Sequence, residues 1–389
     1  MKRDWVKKRL TDFVWFQRGY DLPKSKFNKG DVPVYGATSI LGYHNVAKVQ
    51  PPGIITGRSG TLGKFQFAKS EYWPHNTSLW VRDFKGNDEK FAYYLLQCLD
   101  FSSFNSGGAV PSLNRNVLNA YLVEVPPLPT QRKIASILSA YDDLIENNEK
   151  RIKLLEEKAQ HTYEEWFLRM KFPGYETTPI NNERGLPEGW ERIKIGFLVD
   201  LQQGFALNKK SSHHLASRPT KFPLLKISDL FNETETLFVK ESIPKQFLVN
   251  KNEIIYSRTG QVGHAFIGRK GIIYNNCFRI TPKQNLDNIF LYHFLICDHI
   301  IKRVKGLATG SAQPDLNHGA FKSIPIIIPP LALQKIFARI AGRILDTTEV
   351  LKTQNKRLKE ARDILLPRLM TGMIDVEEIY TNQIQSVDL

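Results

Sequence analysis

The feature that most constrains this chain is an internal repeat, in which one order of motifs occurs twice. The decapeptide that begins at Ile54 reads IITGRSGTLG, and it recurs from Ile254 as IIYSRTGQVG, 200 residues later. The run VPPLPTQ from Val125 recurs from Ile328 as IPPLALQ, 203 residues later. Because the offset stays nearly constant between distant motifs, the sequence indicates a duplicated domain.

Both copies have the same internal order of segments. Short apolar runs broken by Gly, Pro and Asn predict strands at 32–36, 53–56 and 79–81 of the first copy. The segments from Phe91 and Phe290 predict short helices, and a Pro-Pro pair then ends each copy. The second copy is longer: Trp5 and Arg58 are 53 positions apart, whereas Trp190 and Arg258 are 68 apart. We expect the surplus in the loop at 209–221.

A long helix follows each copy. Apolar positions alternate in steps of four and three over about five heptads, which predicts a coiled-coil seam that ends with Thr162 and Trp166 in the first helix. We expect one asparagine on each seam, Asn148 and Asn355, to fix the register. The alternative is two independent surface helices. The predicted pairing residues are Ile134, Leu138, Tyr141, Ile145, Ile152 and Leu155 in the first helix and Phe337, Ile344, Leu351 and Leu358 in the second.

The predicted fold class is α+β, with two homologous mixed α/β domains separated by two long antiparallel coiled-coil helices, a pseudo-twofold duplication. Antiparallel helices would place the domains at opposite ends of a rod. About 35 to 40 helical residues span roughly 50 to 60 Å, or about 15 base pairs of DNA. The predicted boundaries are 1–128 for the first domain, 129–172 for the central helix, 173–330 for the second domain, 331–370 for the C-terminal helix and 371–389 for a tail.

Composition favours a polyanionic partner. The chain carries 54 Lys and Arg against 39 Asp and Glu, a net charge of +15, which suits phosphate neutralisation. Nucleic acid is the leading candidate, although other basic proteins share this balance. The three cysteines form no CxxC pair, so no disulfide framework is indicated. No apolar run approaches the roughly 18 residues of a membrane span. We therefore expect a cytoplasmic protein with no membrane partner.

Motifs for catalysis are incomplete. The segment 57–65 resembles a phosphate-binding loop, but its glycine spacing is one residue too long and Phe65 replaces the required hydroxyl. No Pro-Pro pair lies in an adenine-methyltransferase loop of the Asp/Asn-Pro-Pro-aromatic type. The trio His293, Cys297 and His299 lacks a fourth zinc ligand. The sequence predicts no catalytic residues, no metal and no cofactor.

Two groups of residues are candidates for DNA contact. The loops at Arg58-Ser59 and Arg258-Thr259 occur in both copies, which favours phosphate positioning. The alternative is a tight turn whose arginine pairs with an acid. Base reading is expected from polar residues that differ between copies. These are Lys64, His75, Asn114 and Arg115 in the first copy and Lys226, Gln261, His264, Gln313 and Asn317 in the second. Asn114 and Asn317 occupy one repeat position, so each could instead cap a turn.

The doubled order of domain, Pro-Pro-Leu, glutamine and long helix resembles the specificity subunits of type I restriction-modification systems. The Arg-Ser-Gly and Arg-Thr-Gly loops and the run GSAQPDLN from Gly310 add to the likeness, which covers nearly the whole chain. The first copy departs from it, since GGAVPSLN from Gly107 lacks the glutamine.

The resemblance implies two target-recognition domains, each reading half of an asymmetric bipartite site in double-stranded DNA. It also implies helices that dock two methyltransferase subunits, with restriction/translocase subunits joining the full complex. The chain itself would be non-catalytic. The alternative is a stand-alone sequence-specific DNA-binding protein, which would not need the apolar surface expected at Trp166, Phe167 and Leu168.

Overall fold

The computed structural model describes residues 4–59, 62–101, 113, 115–310 and 312–377, with the side chains of 115–117 left out. The chain forms two compact units. The first unit is Met1–Asn148 with Gln354–Leu389, and the second unit is Glu149–Thr353. Each unit therefore contains part of both long helices.

The strands of the first unit are β1 (Val6–Arg9), β2 (Trp15–Arg18), β3 (Val32–Tyr35), β4 (Ile40–His44), β5 (Gly53–Gly57), β6 (Phe65–Ala68), β7 (Trp73–Pro74), β8 (Ser78–Asp83) and β9 (Leu122–Val125). They form a four-stranded sheet of order β2-β8-β5-β6, a three-stranded sheet of order β4-β3-β7 and the antiparallel pair β1-β9. Its short helices are α1 (Leu10–Phe13), α2 (Glu89–Gln97) and α3 (Arg115–Ala120).

The long helices are α4 (Leu128–Tyr163), which ends in a π-helical turn at Glu164–Leu168, and α9 (Leu331–Met370). The strands of the second unit are β10 (Ile180–Asn181), β11 (Leu186–Pro187), β12 (Glu191–Lys194), β13 (Val199–Gln203), β14 (Leu224–Leu225), β15 (Leu248–Val249), β16 (Ile254–Ser257), β17 (Ala265–Phe266), β18 (Gly271–Ile273), β19 (Cys277–Pro282) and β20 (Pro325–Ile328). Its short helices are α5 (Ile227–Asn232), α6 (Asn288–Leu295), α7 (Asp298–Leu307) and α8 (His318–Lys322).

The four-stranded sheet and one antiparallel pair of the second unit repeat those of the first, whereas the three-stranded sheets differ in their central strand. A four-stranded sheet of order β13-β19-β16-β17 corresponds to β2-β8-β5-β6, and the antiparallel pair β12-β20 corresponds to β1-β9. The three-stranded sheet β14-β18-β15 contains a parallel pair, β14-β18, as β3-β7 does in the first unit. The predicted duplication and the predicted α+β class are both confirmed.

The extra residues of the second copy lie elsewhere than predicted. Tyr20 and Phe205 make equivalent backbone contacts to β7 and β18, respectively, and they are 185 positions apart. Tyr35 and Leu225 also pair with β7 and β18, respectively, but they are 190 positions apart. The offset reaches 200 at Ile54. Five extra residues therefore precede β14 and ten follow it, around α5. Placing the whole surplus at 209–221 was wrong, because sequence alone does not show where the sheet resumes.

Within each unit the segments of α4 and α9 pack antiparallel. In the first unit Asp142 pairs with Arg362, and Asn148 Nδ2 donates to Asn355 Oδ1 at 2.9 Å. In the second unit Glu156 Oε1 lies 3.8 Å from Lys352 Nζ. Of the predicted pairing residues, Tyr141, Ile152, Leu155 and Leu358 are half-buried, and Ile134, Leu138, Ile145, Phe337, Ile344 and Leu351 are buried.

The buried asparagines meet, and the Nδ2 group of Asn355 also donates to the carbonyl of Ile145 at 3.3 Å. A shifted register would leave these amides unpaired in an apolar seam, which is the reason such residues select one alignment. Near the end of α4 the buried residues are Tyr163 and Phe167, one position after the predicted Thr162 and Trp166. Phe167 is thus core, and of the expected apolar surface only Leu168 is exposed.

A buried glutamine joins each long helix to its own unit. Gln131 Nε2 donates to the Pro126 carbonyl at 2.9 Å and to Asn87 Oδ1 at 3.0 Å, while its Oε1 accepts from the Asp88 amide at 2.9 Å. Asp88 in turn caps α2 by accepting from the Phe91 amide. We call this arrangement the glutamine joint.

The second unit has the same joint. Gln334 Nε2 donates to the carbonyls of Pro329 at 2.8 Å and Asn285 at 3.2 Å, and its Oε1 accepts from the Asp287 amide at 2.8 Å. Asp287 caps α6. One side chain thus satisfies polar groups of two loops that would otherwise be buried without partners. This geometry explains the glutamine that follows each Pro-Pro pair.

Gln334→Leu should destabilise the second unit. Leucine keeps the volume but leaves the Asp287 amide and two carbonyls without partners, a cost of about 3 kcal/mol. Urea unfolding followed by tryptophan fluorescence measures the difference. Lys335→Ala, at an exposed position in the same helical turn, is the control and should change the free energy of unfolding by less than about 0.5 kcal/mol. Equal stability of the two variants would show that the joint contributes nothing.

Candidate nucleic-acid interface

The loop between β16 and β17 carries Arg258, Thr259, Gln261 and His264. The guanidinium of Arg258 donates from Nη2 to both carboxylate oxygens of Asp315, at 2.8 and 2.7 Å. Thr259 Oγ1 donates to Asp315 Oδ1 at 2.6 Å. Sequence left open whether this arginine pairs with an acid, and the structure places it in such a pair. We call these three residues the clamp.

The clamp fastens two loops together. The Gly260 amide donates to the Pro314 carbonyl, and the Leu316 amide donates to the Arg258 carbonyl, each at 2.8 Å. The Arg258 guanidinium also lies 5.3 Å from the centre of the Phe278 ring. Its side chain is only 16% exposed, against 38% for Asp315. The positive charge is therefore neutralised within the protein and largely covered.

The two glutamines stand out from the fastened loops. Gln261 and Gln313 are exposed, and neither side chain has a hydrogen-bond partner among the described residues. An amide can pair with both polar atoms of an adenine edge in the major groove. Asn317 differs, because its side chain accepts from the Ala320 amide at 2.8 Å and caps α8. The capping role left open from the sequence is the one that the structure places there.

His264 lies beside an aromatic and a cation. Its ring centre is 4.9 Å from that of Phe231, which is 43% exposed on α5. Burial, and secondarily the charge of Lys305, lower the pKa of His264 below its usual value. The ring is thus neutral near pH 7 and presents one donor and one acceptor.

Lys226 lies at the N-terminal cap of α5. Its Nζ lies 3.8 Å from a carboxylate oxygen of Asp229, which is buried. The same carboxylate accepts hydrogen bonds from the hydroxyl groups of Thr234 at 2.9 Å and Thr236 at 3.2 Å. Lys226 therefore balances a buried negative charge, and its ammonium is partly committed within the second unit.

In the first unit Arg58 and Ser59 follow β5. The Arg58 amide donates to the Thr77 carbonyl, and its carbonyl accepts from the Leu113 amide, as Arg258 accepts from Leu316. No ion pair or side-chain hydrogen bond of Arg58 is present among the described residues. The repeat position that holds Asp315 is Ser112 in the first copy. The two arginines thus share a backbone setting but not an acidic partner.

The other candidates of the first unit have different surroundings. Lys64 is exposed. His75 has both ring nitrogens engaged, Nδ1 with Thr77 Oγ1 at 2.9 Å and Nε2 with the Leu22 carbonyl at 3.1 Å, so it holds a loop together. Asn114 lies outside the described residues. Arg115 begins α3, and its side chain is likewise outside the described part.

Sequence reasoning missed the basic face of α7. Lys302 and Lys305 are exposed on this helix, and its buried residues are Ile300 and Val304. Neither lysine forms an ion pair with a described residue. The spacing of apolar and basic residues over 300–305 was the available signal, since an amphipathic helix turns its charges to the side opposite its apolar face.

The sequence predicts no metal role for His293, Cys297 and His299, and the structure places His293 and Cys297 in a polar cluster of the second unit. His293 Nδ1 lies 3.0 Å from Gln160 Oε1, Gln160 Nε2 donates to Cys297 Sγ, and that thiol donates to the His293 carbonyl. Burial raises the pKa of Cys297 to about 12. Within the described ranges, no group of three or more His, Cys, Asp or Glu side chains could hold a metal, and no helix is long and apolar enough to cross a membrane.

Comparison with known proteins gives consistent matches. A family model described as the type I restriction modification DNA specificity domain matches residues 2–157 and 187–360. The MjaIX specificity subunit of Methanocaldococcus jannaschii is 23% identical over 420 residues, covering 97% of this chain and 95% of that protein. The HindI specificity subunit of Haemophilus influenzae is 24% identical over 336 residues, covering 69% of this chain and 72% of that one.

A solved structure has the same fold. The type I restriction-modification S subunit from M. genitalium superposes with a TM-score of 0.63 at 19% identity, covering 94% of this chain and 96% of that chain. At this identity the likeness concerns the arrangement of the backbone and not the residues of a site.

Stability should depend on the protonation of His293. Burial lowers its pKa from 6.5 to about 4, and its buried Nε2 has no hydrogen-bond partner among the residues that the structure describes. The stabilisation from the neutral ring is complete above pH 6.5 and is lost as the pH falls toward 4, about 3 kcal/mol in all. Urea unfolding of wild type and His293→Gln between pH 7 and pH 4 measures this. The variant should lose less stability on acidification, and parallel pH profiles would contradict the assignment.

Proposed function

Because this chain belongs to the family of type I restriction-modification specificity subunits, we propose that each unit reads one half of an asymmetric, bipartite site in double-stranded DNA. The observation that carries this proposal is the repeated sheet topology with unlike polar side chains on its loops. A duplicated scaffold supplies two readers of the same shape. Different residues on the two scaffolds then select different bases.

The exposed polar groups support an asymmetric site. Gln261 and Gln313 in the second unit offer amides, which favour adenine. Lys64 in the first unit offers an ammonium, which favours guanine or a phosphate. Two readers with these unlike groups would not recognise a palindrome.

We propose that the long helices dock two methyltransferase subunits, which carry out adenine methylation, and that restriction/translocase subunits join the full complex. Apolar side chains exposed on the helices support a protein partner, since such residues mark interaction surfaces when they cluster. They are Leu144 and Leu154 on α4 and Ile336, Ile340, Val350 and Ile364 on α9. The chemistry would then belong to the partners, and this chain would supply recognition.

Co-expression with the methyltransferase subunit encoded beside this chain should create a new methyladenine motif. We expect two short, unlike halves around a fixed unread spacer, because each unit would read its own half. Single-molecule methylome sequencing measures this, with cells that lack the chain as the control. A contiguous motif, or none despite soluble co-expression, would favour a stand-alone DNA-binding protein.

The spacer should lengthen when both long helices do. Seven residues inserted after Asn148 in α4, with seven inserted after Thr353 in α9, add about 10 Å of helix, or about three base pairs. The two halves of the motif should stay unchanged. A seven-residue Gly-Ser insertion in the loop at 209–221 is the control and should leave the spacer as it was. An unchanged spacer in the helix variant would contradict the proposed role of the helices.

A further inference from the structure

We propose that the two units hold the DNA backbone with non-equivalent residues: Arg58 in the first unit, and Lys302 and Lys305 of α7 in the second. The repeat arginine of the second unit, Arg258, would position the reading loops instead of contacting phosphate. This inference rests on the proposed function and names residues within it.

Arg258 is poorly suited to bind phosphate. Both oxygens of Asp315 accept from its Nη2, and its Nε points to the Leu316 carbonyl at 3.4 Å. A phosphate would have to displace a bidentate carboxylate that is already hydrogen-bonded in the fold. The neutral pair would also attract a polyanion far less than a free guanidinium does.

Arg58 is suited to that role. It occupies the equivalent backbone position, and no acidic partner holds its guanidinium among the described residues. Its charge is therefore available to neutralise a phosphate, and each such contact releases counterions.

Helix α7 lies directly against the clamped loop. A Cβ added at Gly263 would lie 3.6 Å from Val304 Cγ1 and 3.7 Å from Ile301 Cγ2. Val262 belongs to the same buried cluster as Ile300 and Val304. Lys302 and Lys305 are exposed on this helix, and the charge of Lys305 acts on His264 of the same loop.

The basic residues of α7 have no counterpart in the first copy. The stretch between Cys98 and Leu113 contains neither Lys nor Arg, whereas the stretch between Cys297 and Leu316 contains Lys302, Arg303 and Lys305. The copy with a clamped arginine thus has added cations, and the copy without them has an arginine with no acidic partner among the described residues. Each unit would thus have a cation for the DNA backbone, although the two units take it from different elements.

The salt dependence of DNA binding tests the inference. The complex of this chain with its methyltransferase subunits is titrated into a fluorescein-labelled random-sequence duplex of roughly 40 base pairs over a range of NaCl concentrations. Each lost phosphate contact decreases the magnitude of the negative slope of log K against log salt by roughly 0.9. We expect this decrease to be roughly 0.9 for Arg58→Gln and roughly 1.8 for Lys302→Gln/Lys305→Gln. Arg258→Gln/Asp315→Asn, which removes both charges of the clamp, should leave the slope unchanged.

Lys153→Gln, at an exposed lysine on α4, is the control and should also leave the slope unchanged. A clamp variant that decreases the magnitude of the slope as much as Arg58→Gln does would overturn the inference. So would a Lys302→Gln/Lys305→Gln variant with the slope of Lys153→Gln, and this variant changes only exposed side chains. These failures are distinct from failure of the proposed function, which a wild-type methylome without a bipartite motif would show.

Discussion

The glutamine joint is the interaction on which the arrangement of each unit depends. Gln131 and Gln334 connect the first turn of a long helix to the loop that precedes α2 or α6, and a capping aspartate continues the connection into that short helix. The short helix packs into the same apolar cluster as the sheet: Phe91 with Leu138 in one unit, Phe290 with Phe337 in the other. A single polar side chain therefore fixes the direction in which each long helix leaves its domain.

The parts of the fold that local sequence patterns specify were predictable. Short apolar runs bounded by glycine and proline predicted β3, β5 and β8, and the heptad pattern predicted α4 and α9. The parts decided by packing were not. Tyr163 is 1% exposed because the core of the second unit surrounds it, although the heptad pattern favoured Thr162. Helix α5 and the ten residues added around it also follow no local signal.

The candidate site was predictable only as a set of residue types. The sequence identifies the type of a polar side chain, but the residue that forms a hydrogen bond with it lies far along the chain. Asp315 is 57 residues from Arg258, and Leu22 is 53 residues from His75. One comparison within the sequence indicates that the two arginines have different partners. Aligning the two copies places Asp315 opposite Ser112, so the second arginine alone gained an acid. Differences between repeats are informative about structure as well as about the bases read.

A partly buried ion pair adds little net stability, because the cost of removing two charges from water offsets most of their attraction. The clamp is better understood as a device for geometry. Arg258, Thr259 and Asp315 hold two loops at one spacing, and Gln261 and Gln313 are exposed on those loops with no side-chain partner in the described part of the chain. Discrimination between bases requires amides held at fixed positions, because a mobile side chain can satisfy more than one base edge. In the proposed arrangement, using the arginine for this purpose removes one positive charge from the side that would face DNA, and the lysines of α7 would supply positive charge there instead.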